Sequence, residues 1–457
     1  MKMIGSALAV LVVAAPLAAQ VAPPQPGTPR EFRVPAPTEF TLDNGLRVTM
    51  VQYGAVPKVN VQVVVRTGNI DEAPNEVWLA DLTGDLMEEG TVSMDAGAVA
   101  EAAASMGGAV SVGVGMDQSF VTGTALSEFG PDMVRLVADV IRSPRFPEDE
   151  LERLKGDRIR SLSISKSQPQ SQALERFRAV LYPNHAYGRI FPTEDMVRGY
   201  DVDQVRAFYG GNYGAMRSRL FVVGRFDPDA VEEAVREAFG TWERGSDAAP
   251  AVAQSSGTRA VYFVDNPGAV QSTLYVGLPV IDPSHPDFVG LQVTNALLGG
   301  SFGSRITSNI REDKGYTYSP FSTLSSRWRD AYWAEVADVT TDVTGAALGE
   351  IFLEIDRLRS EAPPADELTS IQNYMAGTFV LQNSSRGGII NQLNFVALHG
   401  VGEEYLRAYV DRVYAVTPQE VQRMAQEYLD PQDMVIVVVG DRTQVLDQVR
   451  EFGDLIE

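Results

Sequence analysis

The chain of 457 residues has no cysteine and only three histidines. The first absence excludes disulfides, thiolate metal sites and a lipid-bearing cysteine, and the second leaves little material for an imidazole metal centre. His185, His285 and His399 lie far apart, and no two have the four-residue spacing that puts a metal pair on one helix face. Basic charge is also scarce. Acidic side chains outnumber basic ones 60 to 38, for a formal net charge of −22 that repels phosphate backbones and anionic membranes. Nucleic acid is therefore excluded as a partner. After residue 19 no apolar run approaches the length of a membrane span.

The apolar run that does exist, Met3 to Ala19, follows Lys2 and ends in the small-residue cluster Pro16-Leu17-Ala18-Ala19. It reads as a cleaved signal peptide over residues 1–19, followed by a Pro-rich segment over 20–37. Export without disulfides fits a bacterial envelope compartment, so a periplasmic or secreted protein is expected. The remainder is ordinary globular sequence, 44% hydrophobic and 21% charged, long enough for roughly two to four domains.

Self-comparison exposes a repeat at a spacing of 216 to 217. Leu220–Gly224 (LFVVG) echoes Ile436–Gly440 (IVVVG), Val205 echoes Val421, and Asp149-Glu150-Leu151 echoes Asp366-Glu367-Leu368. Between the halves, Glu243–Gly257 (ERGSDAAPAVAQSSG) lacks apolar periodicity and reads as a flexible connector. The first repeat is thus placed at 38–243, the linker at 244–257 and the second repeat at 258–457. Each half mixes apolar strands (Val59–Val65, Leu220–Val223, Thr273–Val276, Met434–Val439) with helical runs such as Asp229–Ala238 and Ala347–Arg359. The expected fold class is α+β: two homologous repeats, each a mixed sheet with helices packed on it.

Phe40–Met50 (FTLDNGLRVTM) reads as strand, Asn-Gly turn and strand. A strand at Val59–Thr67 and a helix from Trp78 to Gly90 follow, then Pro183-Asn184-His185-Ala186-Tyr187-Gly188 and Leu297–Ser304 (LLGGSFGS). This order resembles the pitrilysin/insulinase zinc metallopeptidase family over essentially the whole mature chain, and implies its half-shell fold. In that family the first-repeat helix carries His-x-x-Glu-His, two zinc ligands and a general base. Asp81 and Asp85 stand here at the histidine positions, Gly84 at the base, and Ser161 near the third ligand. Glycine cannot take a proton from water. Zinc without imidazole or thiolate would be weakly held, so no metal is expected in this chain. Asp81 and Asp85 then read as a solvated helix face or, less simply, as a hard oxygen site for calcium or magnesium.

In the second repeat, Ser301–Ile306 leads into Ile310-Arg311-Glu312-Asp313-Lys314-Gly315-Tyr316-Thr317-Tyr318. The resemblance assigns Arg311 and Tyr318, seven apart, to the pair that binds the substrate carbonyl, where a guanidinium and a phenol stabilise the developing oxyanion. Gly299, Gly300 and Gly303 would let the preceding loop bend or approach a peptide closely. The chain thus lacks the cutting half of a site and keeps the gripping half. The implied function is a non-catalytic subunit that pairs with a zinc-bearing His-x-x-Glu-His homologue, zinc residing in that partner, to enclose unstructured peptides. A proteolytically inactive scaffold of the same fold is the alternative, and an independent hydrolase built on Asp81 and Asp85 is a third reading.

Overall fold

The computed structural model describes residues 36–247 and 250–456, so the expected signal peptide and all but the end of the Pro-rich segment lie outside the described residues. The hairpin expected at Phe40–Met50 forms from β1 (Thr38–Thr41) and β2 (Arg47–Gln52). Gly45 turns the corner at φ +96°, a conformation that favours glycine, while the Asn44 amide donates to the carbonyls of Phe239 and Trp242 at 2.8 and 2.9 Å. The apolar runs continue as β3 (Lys58–Val65), β4 (Ala109–Val114), β5 (Ser119–Leu126) and β6 (Ser218–Gly224). The second half contributes β7 (Ala260–Asp265), β8 (Gln271–Val280), β9 (Phe321–Arg327), β10 (Asp330–Thr340), β11 (Val435–Gly440) and β12 (Asp454–Ile456).

These strands make two six-stranded sheets, ordered β1-β2-β6-β3-β5-β4 and β12-β7-β11-β8-β10-β9. Five strands correspond one to one. β2 and β6 are parallel, as are β7 and β11, and the other shared pairings are antiparallel in both sheets. The outermost strand differs: β1 runs antiparallel to β2, whereas β12 runs parallel to β7. The mixed sheets and packed helices are the α+β, two-repeat architecture anticipated from the sequence.

Each half lends a helix to the other. Phe177 and Leu181 of the helix Pro169–Leu181 are buried against Tyr275, Tyr332 and the Val435, Val437 and Val439 face of the second sheet. In return, Ile389, Ile390 and Leu393 of the helix Arg386–His399 cover Val51, Val64, Phe221 and Val223 of the first. At about 1.5–3 kcal/mol for each large apolar side chain buried, this exchange is a principal bond between the halves. The connecting segment, although irregular, is tied to the same seam. Ala253 is buried, the Ser255 hydroxyl donates to Asp330 at 2.8 Å, and the Ser256 amide donates to the Leu181 carbonyl at 3.2 Å. No helix among the described residues is long and apolar enough to cross a membrane.

Candidate functional site

The first-repeat helix spans Leu79–Glu88 and buries Leu79, Leu82, Leu86 and Met87, an i, i+3, i+7 stripe that seats it on the sheet. Trp78 precedes it at φ +70°, a left-handed conformation costing about 1–3 kcal/mol for a non-glycine residue. The bond from its indole Nε1 to the Ile190 carbonyl (3.0 Å) and an edge contact with Phe191 hold it there.

The turn so fixed presents Asp81 and Asp85 not to solvent but to Arg158, on the helix Glu148–Ser167. Arg158 Nε and Nη2 donate to the two carboxylate oxygens of Asp85 at 2.6 and 2.7 Å. Nη1 reaches Asp81 Oδ1 at 3.2 Å, and Nη2 also donates to the Asp81 carbonyl at 3.2 Å. The side chains of Arg158, Asp81 and Asp85 are only 25%, 18% and 27% exposed, and the Trp78 ring lies 5.9 Å from the guanidinium. The expected solvated face is therefore replaced by a part-buried ion triad. Opposite charge on the facing helix, rather than water, relieves the repulsion between the aspartates.

Burial raises the Asp81 pKa even with Arg158 beside it. Burial opposes charge on Arg158 as well, but its bonds to Asp85 and Asp81 outweigh that and its pKa is raised. Asn69 Nδ2 bridges Asp81 (2.6 Å) and Glu72 (3.1 Å), and Glu72 also accepts the Ala80 amide at 2.9 Å. Burial nonetheless pushes the Glu72 carboxyl up to about 8.

Ser161, expected near the third ligand, is exposed, and its hydroxyl is turned back to its own helix at the Asp157 carbonyl (3.0 Å). Arg158, one turn earlier, is the residue facing the two aspartates that sequence reasoning missed. The basic positions in ERLKGDRIRSLS were its only signal. Gly84 is explained by packing, since a Cβ there would lie 2.7 Å from Val114 Cγ2 on β4.

Zinc does not fit this donor set. Two carboxylates already bonded to a guanidinium, with no imidazole or thiolate near them, are a poor zinc site, and a cation there would have to displace Arg158. The histidines sit elsewhere. His185 Nε2 faces the Ala251 carbonyl, His285 Nδ1 accepts the Asp287 amide, and His399 lies beside Phe395, where burial lowers its pKa to about 4. Among the described residues no group of three or more metal-ligating side chains comes together.

In the second repeat the loop expected over Leu297–Ser304 is helical in its first half, a π-helical turn at Ala296–Gly300. A Cβ on Gly299 would lie 2.4 Å from Glu335 Oε2 and 2.6 Å from Ser322 Oγ, and one on Gly300 would lie 2.4 Å from Asn295 Nδ2. Gly303 faces open space. Arg311 stands on the turn Ser308–Asp313, its guanidinium 4.3 Å from the Phe302 ring and 5.1 Å from the Tyr318 ring. Arg311 and Tyr318 are thus brought together, with Phe302 as a third member that sequence reasoning did not name. Its signal was a large apolar residue inside a glycine-rich segment. Phe302 and Tyr318 are 71% and 79% exposed, so the rings lie open to another molecule, with the part-buried Arg311 guanidinium against them. The Thr317 hydroxyl, donating to the Asp338 carbonyl at 2.7 Å, and the Tyr316 amide, donating to that of Ile310 at 2.8 Å, hold the Tyr318 loop to the sheet and its helix.

The sequence matches the family model "Insulinase (Peptidase family M16)" over residues 47–192 and "Peptidase M16 inactive domain" over 200–375. Among curated proteins it is similar to the "uncharacterized zinc protease YmxG" of Bacillus subtilis, 25% identical over 384 residues (79% of this chain, 93% of that protein). An "uncharacterized zinc protease" of Streptomyces coelicolor is 22% identical over 405 residues, 87% of this chain and 88% of that protein. Among solved structures, a peptidase M16 inactive domain from Pseudomonas fluorescens aligns with TM-score 0.82 at 22% identity, covering 89% of this chain and 98% of that one. A protease from Helicobacter pylori aligns with TM-score 0.83 at 18% identity, over 89% of this chain and 100% of that one. Fold and site together define a two-repeat peptidase-type shell whose first-repeat helix faces a guanidinium. The chain belongs to peptidase family M16, the pitrilysin/insulinase family.

Proposed function

We propose that this chain is an exported, non-catalytic subunit that lends Arg311 and Tyr318 to a zinc-bearing homologue, the two enclosing an unstructured peptide. The observation that carries this reading is the contrast between the two repeats. Asp81 and Asp85 are committed to Arg158, while Arg311 sits beside the exposed Phe302 and Tyr318 rings and its one ion pair is to Glu312 next to it in sequence, at 3.2 Å.

Hydrolysis of an amide needs an activated water and a means of holding the charge that builds on the carbonyl oxygen. No side chain placed at Gly84 or beside it supplies the first. A guanidinium, charged at any working pH, and a phenol supply the second, the arginine by charge and the tyrosine by a hydrogen bond. The homologue performs the cut, and this chain binds and steadies the substrate backbone. Enclosure selects by size and flexibility, so short unfolded peptides of the envelope are the expected clients.

The experiment is co-expression with His-x-x-Glu-His homologues, then peptide cleavage by the complex and by each chain alone. Activity only in the mixture, falling about 100-fold with Arg311→Ala, supports the reading. A chain that ignores every such homologue and purifies alone is instead a scaffold of the same fold.

A further inference from the structure

The helix Arg386–His399 roofs the first sheet in two parts. Its first turns lay Ile389, Ile390 and Leu393 on Val51, Val64, Phe221 and Val223, a dry contact. Toward one end of these strands the sheet changes character: Val64 is followed two residues on, just past β3, by Arg66, and Phe221 is preceded by Arg219 in β6 and by Arg217 just before it. Arg47, across from Arg219 in the β2/β6 register, completes the group. The four arginines line one cavity of about 140 Å³, roofed by Asn394, Ala397 and Leu398.

This grouping is unfavourable by itself. Like charges directly opposite on adjacent strands repel, and Arg47 faces Arg219 while the Arg66 amide bonds to the Arg217 carbonyl at 2.9 Å. The roofing helix, RGGIINQLNFVALH, brings no carboxylate. Among lining residues Asp247 is the only acid, with Asp71 3.5 Å from Arg217 Nη1 and Glu39 acting on Arg219 from the edge. Arg217 is spent on structure, bonded to Asn212 Oδ1 (3.1 Å) and the Ser246 carbonyl (3.2 Å). The guanidinium groups of Arg47, Arg66 and Arg219 donate no hydrogen bond to a protein acceptor among the described residues, although Arg66 lies over the Trp328 ring at 5.1 Å. Burial lowers the pKa of Arg66 and of Arg219; neighbouring guanidinium charge adds to it, while Asp247 and Asp71 oppose it at Arg66 and Glu39 opposes it at Arg219. In a chain with 60 acidic and 38 basic side chains, so concentrated a positive site calls for an external counter-charge.

We propose that the cavity beneath the helix Arg386–His399 binds a small oxyanion of phosphate size, free or as the end of a phosphate monoester, through Arg47, Arg66 and Arg219. Guanidinium forks match tetrahedral oxyanions with paired hydrogen bonds. Because sheet and roof come from opposite halves of the chain, the bound anion also fastens the seam between them.

The test is calorimetric titration and thermal melting of the full mature chain with inorganic phosphate and, separately, glycerol 1-phosphate, at ionic strength matched by sodium chloride. Binding with a dissociation constant below about 1 mM and a concentration-dependent rise in melting temperature are expected. Tighter binding of the ester marks a monoester site, and equal or weaker binding marks free phosphate. Arg219→Gln and Arg47→Gln each weaken binding about tenfold or more, and each leaves the ligand-free melting temperature unchanged or higher, since a repelling neighbour is gone. The proposal is overturned if neither anion stabilises the chain beyond matched chloride. It is equally overturned if both variants bind as the parent does, or if both melt lower without ligand, which would make the arginines structural.

Discussion

The two repeats build the same corner and fill it differently. In the first, Gly84 lets the helix approach β4, and Asp81 and Asp85, three residues before and one after it, close on Arg158. In the second, Gly299 makes the equivalent approach to Ser322 on β9 and Glu335 on β10, and Ala296 and Gly300 hold the positions three before and one after. The repeat spacing carries Arg158 to Met375. Ala296, Gly300 and Met375 line an open cleft of about 490 Å³, whose walls are carboxamides and rings such as Asn295, Gln392, Phe395 and Tyr405. One corner is closed by an ion triad and its twin stays open because no charge was placed there. Fold similarity therefore says little about chemistry at this position, and the side chains at three sites decide it.

The comparison can be broken most sharply at its two equivalent side chains. Arg158→Ala strands two part-buried carboxylates and is expected to cost about 3 kcal/mol, read by urea unfolding, whereas Met375→Ala at the rim of an open cleft costs about 1 kcal/mol. Equal losses would show that the triad does not hold the first corner. The glycines come next. Alanine at Gly299 meets two side chains of a closed floor, Glu335 being fully buried with neither oxygen hydrogen-bonded, so about 2–3 kcal/mol is expected. At Gly84 one valine methyl is in the way, and the better helix propensity of alanine returns about 1 kcal/mol, leaving about 1 kcal/mol net.

A separate effect is one of pH. Folded Glu72 keeps its proton up to about pH 8, whereas the unfolded chain releases it near the ordinary carboxylate value of 4.5. Between these values the native state binds more protons than the unfolded state, so this group's contribution is full below pH 4.5 and is lost as pH rises to 8. Asp81 and Tyr200 face the same carboxyl and strengthen its hold on the proton or are strained by its charge. Relative to Glu72→Gln, the parent chain should lose up to about 3 kcal/mol between pH 5 and 8, and parallel pH curves would contradict this.

Much of this was legible in the sequence. The apolar runs at Lys58–Val65 and Val435–Gly440 announce buried strands, the 216-to-217 spacing announces the repeat, and the substitution of Asp, Gly and Asp in the family motif announces a changed corner. What filled that corner was not legible. Arg158 lies on a helix that also carries Lys155 and Arg160, and only folding shows which cation faces the aspartates. The same is true of the exchanged helices. The apolar faces of Pro169–Leu181 and Arg386–His399 mark them as packed, but not that each packs on the other half's sheet. Phe302 shows the converse limit, because periodicity finds what is buried and this ring is exposed.

The claim on which the account turns is that Arg158 holds Asp81 and Asp85 in place of a metal. Metal analysis of the purified chain after zinc loading, with a peptide-cleavage assay on the same sample, tests it directly. Well under 0.1 zinc per chain (on the order of background) and no hydrolysis are expected, because Asp81 and Asp85 are bonded to a guanidinium. One zinc per chain with cleavage by the chain alone would contradict it.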